Sequence, residues 1–401
     1  MTNKIKPTVV AFLGETFSNY KSSFYYSGTS GAFIQSVVGN KFLFVASCSK
    51  PVLHKPVDSS TIISDENFYY FPVYNSTQDF VIKCIFNRGF YRDFVKRADE
   101  VISRHSNDVF WIRSPSIGSL VFGLRVISAK QRLIHHMCAD ASNTWRDKKY
   151  SGLRKIPAFL MSLYINKIVA KICKYPMAIN LATGDKLEKI SRRYSPAKSF
   201  QFVDLMVRSC TKKYQNTKNI DPVIKVLFVG RMVEDKGIYD LITAANGLGP
   251  RFEFTFVGGG PDLDGAIRLT QKFHLTNRIN FVGQVPFDDL HQYFDACNIV
   301  VAPSNNHYEG FPRVIMEAWA HEKPIIVSNV GGVNAFVKHR KNGIITPPGD
   351  IEALVATLND LVNQSDLLDQ ISSGAILMKE ISSHSYWASF THNKILQLMK
   401  E

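Results

Sequence analysis

Short apolar runs rich in β-branched residues alternate with helical patterns along the whole chain. This alternation is typical of parallel sheets whose strands are joined by crossover helices. In the N-terminal half it predicts helices over 31–38, 77–104 and 156–173. The strands predicted there are 8–13, 41–46, 67–73, 109–112, 132–137 and 177–182.

The C-terminal half shows the same pattern more clearly. Five strand-like runs each precede Gly, Pro or Ser and a helical segment: VIKVLFVG, FEFTFVGGG, INFVG, NIVVAPS and PIIVS. The polar stretch 208–221 has little apolar periodicity and is predicted to be a linker. The pattern therefore predicts an α/β chain of two Rossmann-like, doubly wound domains, 1–207 and 222–382, facing a central cleft. Ligands of such sheets bind beyond the carboxyl ends of the strands.

Composition supports a folded, multidomain chain and excludes dominant disorder. The chain has 401 residues, of which 45% are hydrophobic and 20% charged. Residues 1–215 carry 32 Lys and Arg against 14 Asp and Glu, a net charge of +18, whereas residues 216–401 carry 16 against 20, or −4. The N-terminal half is thus expected to meet an anionic partner, which leaves nucleic acid, a membrane surface and a phosphorylated substrate open.

Targeting and redox signals are weak. The six cysteines are far apart, without zinc-ligand spacing, and are expected to be buried, reduced thiols of a cytosolic protein. The early apolar run VVAFL is short for a signal peptide and fits a first strand better. No stretch is expected to span a bilayer.

The loop after the first C-terminal strand combines glycines with cations. Gly230, Arg231, Lys236 and Gly237 together suit a diphosphate, although a solvated surface turn explains the same residues. After the next strand, the run 258–260, which contains Gly258 and Gly259, either admits a ligand close to the backbone or makes a tight turn.

The segment 304–318 is the most informative. Pro312 suits the first turn of a helix, which places Glu309 in the preceding loop and Glu317 about one turn inside. The amides from Gly310 to Val314 would then face an anion, and the two carboxylates would accept hydrogen bonds from sugar hydroxyls. Taken without its neighbours, Glu317 is better explained by capping or solvation of a helix face.

Five ordered motifs carry a resemblance to a known family. They are GRMVEDKG, VGGGPD, GQVPFDDLHQYFDACNIVVAPS, EGFPRVIMEAWA and GGVNAFVKHRKNGIITPPGDIEAL. Over about 223–358 the chain resembles the donor domain of retaining family 4 glycosyltransferases of GT-B fold (glycosyl transferases group 1), with Glu309 and Glu317 as the E-x7-E pair. One motif departs from the family, which carries a glutamate three residues after the Gly-Gly, because Gly331-Gly332 is followed here by Val333-Asn334-Ala335. Asn334 is expected to substitute in part as a polar contact.

The resemblance implies roles for individual residues. Arg231 and Lys236 would bind the donor diphosphate and stabilise the leaving nucleoside diphosphate, and Glu317 would hold the ribose hydroxyls. Glu309, with the amides of Gly310 and Phe311, would position the donor sugar. The implied donor-binding residues are Gly230, Gly258, Gly259, Gly310, Phe311, Pro312, Arg313, Val314 and Glu317.

The N-terminal half resembles the family only in layout, which fits an acceptor-binding domain. The segment 27–31, ending at Gly31, is interpreted as a glycine loop near the donor phosphates or as a plain linker. His135 and His136 lie in the predicted strand 132–137 and Asp140 follows it, near the predicted cleft, and alternation sends the two histidines to opposite faces. At most one of the two histidines therefore points to the cleft. His135, His136 and Asp140 are each candidate contacts to donor sugar or acceptor, although a structural role is commoner for a histidine.

Two further segments carry predictions about partners. The segment 146–174 holds eight basic residues and one acid, so packing on the sheet is its expected main role and contact with an anionic membrane its second. The resemblance implies that the terminal helix, 383–401, crosses back to the N-terminal domain and buries Trp387 there.

The resulting expectation is a retaining glycosyltransferase of cell-surface polysaccharide synthesis. The donor would be a nucleotide sugar, UDP-linked in preference to GDP-linked, and the acceptor a saccharide or lipid-linked glycan. No cofactor, no metal and no nucleic-acid partner are expected, and the location would be the cytoplasm or the inner face of its membrane. The alternatives are a non-catalytic GT-B subunit that binds nucleotide or glycan, and a nucleotide-sugar epimerase.

Overall fold

The chain divides into two compact units. The computed structural model describes residues 7–56, 59–140, 142, 144–146, 152, 155–207, 223–306 and 309–401. One unit contains the residues up to Met206 together with Trp387–Glu401, and the other contains Val207–Tyr386. The predicted linker, 208–221, lies outside the described residues.

The first unit is built on a nine-stranded sheet. Its strands are β1 (Val9–Tyr20), β2 (Ser23–Tyr26), β3 (Leu43–Pro51), β4 (Thr61–Ser64), β5 (Phe68–Tyr70), β6 (Val109–Ser114), β7 (Arg132–Met137), β8 (Ala178–Ala182) and β9 (Ser199–Gln201). The order is β4-β2-β1-β6-β7-β8-β9, and β3 pairs with both β1 and β5. Pairing is parallel except for β2, which runs antiparallel to β1 and β4.

That antiparallel extension was not predicted. β1 continues to Tyr20 instead of ending at residue 13, and Lys21 and Ser22 then take φ of +46° and +58°. Positive φ at both central residues makes a tight hairpin turn whose twist matches the strands it joins. The first sheet is therefore mixed, whereas the sequence pattern predicted a purely doubly wound sheet.

Six helices of this unit precede the second unit in the chain. They are α1 (Thr29–Val38), α2 (Thr77–Phe86), α3 (Arg88–Arg104), α4 (Ile117–Ser128), α5 (Lys155–Cys173) and α6 (Asp185–Tyr194). The single helix predicted over 77–104 is broken at Asn87, whose side chain accepts a hydrogen bond from the amide of Phe90 at 3.2 Å and so caps α3. A core rich in phenylalanine, including Phe12, Phe94 and Phe122, joins the helices to the sheet.

The second unit has a fully parallel sheet. Its strands are β10 (Ile224–Val229), β11 (Phe252–Val257), β12 (Ile279–Gly283), β13 (Ile299–Ala302), β14 (Ile325–Ser328) and β15 (Ile344–Thr346). The five predicted runs are β10–β14, and the three-residue β15 was missed. The helices are α7 (Ile238–Asn246), α8 (Leu263–Lys272), α9 (His291–Ala296), α10 (Val314–Ala320), α11 (Ile351–Asn363) and α12 (Ser365–Leu377).

The strand order β12-β11-β10-β13-β14-β15 fixes where a ligand is expected. The order reverses between β10 and β13, which are direct neighbours. In open α/β sheets, ligands bind beyond the carboxyl ends of the strands at this reversal. The loops that follow β10 and β13 are therefore the candidate site.

The last helix, α13 (His384–Lys400), begins in the second unit, but from Trp387 onward it belongs to the first. Trp387 is 3% exposed, and its ring centroid lies 6.0 Å from that of Phe202 in the same unit.

Two predictions about the chain as a whole need correction. Among the described cysteines, Cys48, Cys173 and Cys297 are buried, but Cys84 and Cys138 are only half-buried. Within the described part of the chain, one helix, α5, has the length and the apolar composition that crossing a membrane requires, although no such segment was expected. A third of its apolar window is buried in the unit, as in a helix that packs on a sheet.

Candidate active site

The loops after β10 and β13 are locked together at the sheet reversal. Gly237 has φ of +74°, and a side chain there would collide with the backbone carbonyl of Pro303. The amide of Asn305 donates to the carbonyl of Asp235 at 3.0 Å. Glycine is thus required at 237 because the two loops approach so closely.

This contact brings Lys236 and Glu309 into an ion pair. Lys236 Nζ lies 2.7 Å from both Oε1 and Oε2 of Glu309. Asn306 Nδ2 donates to Glu309 Oε2, and the Glu309 amide donates to Asn306 Oδ1, each at 2.7 Å. The Lys236 and Glu309 side chains are 26% and 12% exposed. The pair is therefore oriented and largely withdrawn from water.

The charge state of Glu309 follows from these neighbours. Burial would raise the pKa of Glu309, but the charge of Lys236, hydrogen bonds from Lys236 and Asn306, and the charge of Arg231 together lower it below the usual glutamate value. Glu309 is thus a fixed carboxylate beside two cations. Arg231 itself is exposed at the edge of the loop.

Glu317 is a second carboxylate with a different environment. It is the fourth residue of α10, so Glu309 precedes the helix and Glu317 lies about one turn inside. Glu317 is half-buried, and its side chain makes no hydrogen bond or ion pair with the residues that the structure describes, whereas its amide donates to the carbonyl of Arg313 at 3.1 Å. Burial raises its pKa, opposed by the charge of Arg313. A carboxylate left without a partner in this way is suited to accept hydrogen bonds from the hydroxyls of a ligand.

The glycines after β10 and β11 serve loop packing. Gly258 has φ of +138°, and a side chain there would collide with the carbonyl of Gly230. The amide of Gly230 donates to Val257 at 3.0 Å, and the amide of Met232 donates to Gly259 at 2.9 Å. This geometry supports the tight-turn interpretation of the glycine run, and it holds Arg231 in place.

The loop before α10 is fixed by a turn that lies far away in the sequence. Gly331 has φ of +54°, and a side chain there would collide with the carbonyls of Glu309 and Gly310. The amide of Gly332 donates to the carbonyl of Gly310. Phe311 is 4% exposed and packs edge-on against Phe336 at 5.1 Å. Phe311 is thus a core residue that can offer a ligand only backbone groups.

Comparison with known proteins identifies the family that this site resembles. Residues 211–378 match the family model described as Glycosyl transferases group 1. The putative teichuronic acid biosynthesis glycosyltransferase TuaC of Bacillus subtilis is 36% identical over 133 residues, which is 33% of this chain and 31% of TuaC. The capsular polysaccharide biosynthesis glycosyltransferase CapM of Staphylococcus aureus is 29% identical over 197 residues, 48% of this chain and 50% of CapM. The chain thus spans half or less of the length of these curated relatives.

Solved structures show the fold. The structure of Anabaena HepE in complex with UDP has a TM-score of 0.67 at 15% identity, and the match covers 98% of this chain and 99% of HepE. Sucrose-phosphate synthase from Thermosynechococcus elongatus has a TM-score of 0.68 at 17% identity and the same coverage. The GT-B fold predicted from the motifs is confirmed by these likenesses.

Asn334 lies in the segment after Gly331-Gly332 that departs from the group 1 motif. Asn334 is exposed, and its Nδ2 donates to Asn329 Oδ1 at 3.0 Å. Its backbone carbonyl accepts from Lys338 Nζ at 3.0 Å. The side chain is thus engaged within its own loop.

In the first unit, the structure gives Gly31 a different setting from the predicted one. Gly31 is the third residue of α1 and not part of a loop, because the helix begins at Thr29. A side chain at Gly31 would collide with Thr61, whose Oγ1 accepts from the amide of Ala32 and donates to the carbonyl of Gly28, each at 2.9 Å. This glycine therefore permits the contact between α1 and β4.

The two histidines of β7 are engaged by the protein. His135 is fully buried, with Nδ1 3.1 Å from Asn180 Oδ1 and Nε2 2.9 Å from Ser114 Oγ. Burial lowers the pKa of His135 to about 4 although the Asn180 contact opposes it, so the ring is neutral at physiological pH. His136 Nε2 lies 3.2 Å from Thr183 Oγ1. These contacts favour the structural interpretation of both residues.

Asp140 is 7% exposed, and it accepts a hydrogen bond from the amide of Ser142 at 2.8 Å. It therefore organises the start of the loop after β7.

The sequence analysis missed a polar cavity in the first unit. Its volume is about 380 Å³. Residues from β1, β2, β3 and the loops before α2 and α4 line it, among them Thr16, Tyr26, Asn75, Ser76 and Ser116. No Asp, Glu, Lys or Arg is among the lining residues, so the cavity offers hydroxyl and amide groups without charge.

Proposed function

We propose that this chain is a retaining glycosyltransferase that moves a sugar from a nucleoside-diphosphate donor to a saccharide or lipid-linked glycan in cell-surface polysaccharide synthesis. The observation that carries the proposal is the Lys236–Glu309 pair at the sheet reversal, with Arg231 nearby and Glu317 on the following helix. The group 1 match supports it, as do the polysaccharide enzymes named among the relatives.

The donor diphosphate is proposed to contact Arg231 and Lys236. As the glycosidic bond breaks, negative charge develops on the leaving diphosphate, and fixed cations stabilise that state more than the ground state. Glu317 would accept hydrogen bonds from the ribose hydroxyls. Glu309, with the backbone around Gly310, would hold the donor sugar. A UDP-sugar is favoured over a GDP-sugar because the similar HepE structures contain UDP and UDP-glucose.

The acceptor is proposed to bind in the first unit, with its sugar in the polar cavity. A volume of about 380 Å³ has room for one or two sugar rings. Uncharged hydroxyl and amide groups match the hydrogen-bonding surface of a neutral sugar. The chain is proposed to act in the cytoplasm, where nucleotide sugars are available.

The test is donor hydrolysis in the absence of acceptor. The protein is incubated with a panel of UDP- and GDP-sugars, and the free nucleotide is measured by mass. We expect slow release of UDP from one donor, and initial release of the sugar with the donor's own anomeric configuration, observed by NMR. The inverted anomer would contradict retention, and interconversion of two nucleotide sugars without hydrolysis would indicate an epimerase.

The variant Glu309→Gln is expected to lose at least about a hundredfold in hydrolysis, because a buried charged group at the reacting sugar is removed. The matched control is Glu253→Gln, the same change at an exposed glutamate of β11. Nucleotide binding without turnover of any donor would instead indicate a non-catalytic subunit.

A further inference from the structure

Helix α5 is apolar on both of its long faces. Its inward face packs into the core through Ile165, Ile168 and Ile172, which are at most 7% exposed. Its outward face carries five large apolar side chains, which are Ile156 (59% exposed), Phe159 (41%), Leu160 (59%), Leu163 (50%) and Tyr164 (54%). Since the inward face already completes the core, folding of the unit does not require the outward residues to be apolar.

The outward residues form one continuous surface. Positions 156, 160, 163, 167 and 171 follow one another at intervals of three or four residues, which places them on one side of a helix. The first three are apolar, and the last two are the exposed Lys167 and Lys171. The surface, here called the outer α5 face, is therefore apolar in its first half and basic in its second.

The ends of the helix are basic and aromatic. Lys155 begins α5, Lys174 follows it, and 155–174 contains no Asp or Glu. Trp145 packs edge-on against Phe159 at 5.3 Å, and the Arg146 guanidinium lies 5.1 Å from the Trp145 ring centroid. Aromatic side chains with flanking cations are typical of segments that lie at the boundary between lipid tails and headgroups.

A further apolar group belongs to the same helical layer. α4 packs against both α2 and α5. At the end of α2, Ile82, Ile85 and Phe86 are 54%, 64% and 84% exposed. Exposed large apolar side chains that are grouped on helices in this way, instead of scattered singly, mark an interaction site on a folded protein.

Charge identifies the partner. A second copy meeting this surface through α5 would set lysines against lysines, with no acidic residue on the helix to compensate. An anionic bilayer satisfies both halves at once, because apolar side chains enter the acyl boundary while lysines meet negative headgroups.

We infer that the outer α5 face docks the first unit on an anionic lipid bilayer, with the helix lying in the plane of the interface. The inference goes beyond the proposed transferase activity and does not depend on it. It develops the second role expected of segment 146–174, contact with an anionic membrane, and assigns that role to the outward side of a helix whose inward side packs in the core.

The test is sedimentation of the full chain with vesicles. Vesicles of phosphatidylglycerol and phosphatidylcholine are compared with vesicles of phosphatidylcholine alone, and we expect binding to the first and little to the second. Two variants probe the surface, namely L160E/L163E for its apolar half and K167Q/K171Q for its basic half. Each is expected to weaken binding about tenfold or more, since two anchoring side chains are lost.

The matched control is Leu377→Glu, at an exposed leucine of α12 in the other unit that is 83% exposed. It should bind vesicles like the unmodified chain. An unchanged melting temperature and an unchanged far-ultraviolet circular dichroism spectrum show that the variants remain folded. Equal binding of all variants, or equal binding to neutral vesicles, would overturn the inference. So would a concentration-dependent dimer in light scattering that L160E/L163E abolishes.

Discussion

At the scale of single residues, Lys236, Glu309 and Asn306 form one coupled group. Removing one charge of a withdrawn ion pair leaves the other without compensation, which costs more than removing both. Lys236→Met is therefore expected to destabilise the second unit by about 1–3 kcal/mol, and Lys236→Met/Glu309→Gln by less. Urea denaturation of the three proteins measures this. A double variant less stable than Lys236→Met would contradict the coupling.

The same pair predicts a pH dependence. Because the pKa of Glu309 is lowered in the folded state, its contribution to stability is present above the ordinary glutamate pKa of 4.5 and is lost as the pH falls through the folded value. The free energy of unfolding should therefore fall more steeply below pH 4.5 in the unmodified chain than in Glu309→Gln. Parallel curves would show that the carboxylate is not held by Lys236.

Glu317 is expected to behave in the opposite way. Its folded pKa is raised, so its contribution is present below the ordinary value of 4.5 and is lost as the pH rises through the folded value. At neutral pH, Glu317→Gln should thus raise the melting temperature of the ligand-free chain.

The same variant should weaken UDP binding about tenfold or more in calorimetry, because a charged acceptor of hydrogen bonds is lost. Glu253→Gln is again the control and should change neither quantity. A lower melting temperature at neutral pH, together with unchanged UDP affinity, would remove Glu317 from the site.

The chemistry of this site was more predictable than its geometry. Charged residues next to glycines after strands pointed to Arg231, Lys236 and Glu309. Nothing local identified Asn306 as the residue that orients Glu309, because an asparagine in a loop has many possible partners. Gly331 supports Glu309 from a distant turn, and such a tertiary contact leaves no periodic signal in the sequence.

At the scale of elements, length and periodicity decided which strands and helices could be predicted. The strands β10–β14 were found because each is an apolar run that ends at a turn residue. The four-residue β2 and β4 were missed because so short a strand shows no alternation. Helix α4 is apolar on most sides, with eight of its twelve residues buried, so it lacks the stripe that marks an amphipathic helix.

The break between α2 and α3 gives a prediction at this scale. Asn87 ends α2 and caps α3, so Asn87→Ala should destabilise the first unit by about 1 kcal/mol. Asn87→Asp keeps an acceptor for the Phe90 amide and should stay close to the original stability. Thermal unfolding followed by circular dichroism compares the two. Equal losses in both variants would show that the side-chain cap contributes nothing.

At the scale of the whole chain, the uneven charge acquires a structural meaning. The net charge of +18 lies on residues 1–215, the part of the chain that contains the outer α5 face, whereas the donor-site residues lie in the slightly acidic remainder. The overall charge of +14 alone would favour nucleic acid as a partner. Its placement beside exposed apolar side chains favours a lipid surface instead.

The stability of the first unit depends on a residue from the C-terminal end of the chain. Trp387 follows the second unit in sequence but is buried in the first, near Phe202. Trp387→Ala should therefore destabilise the first unit by about 3–5 kcal/mol, the usual cost of removing a buried tryptophan. UDP affinity, which the second unit is proposed to provide, should change by less than about twofold, since no group of the donor site is altered.

Limited proteolysis with mass mapping of the Trp387→Ala variant should show earlier cleavage within 7–206. The control variant Leu377→Ala, at an exposed residue, should match the cleavage pattern of the unmodified chain. Earlier cleavage confined to 223–386 would mean that the terminal helix stabilises the second unit instead.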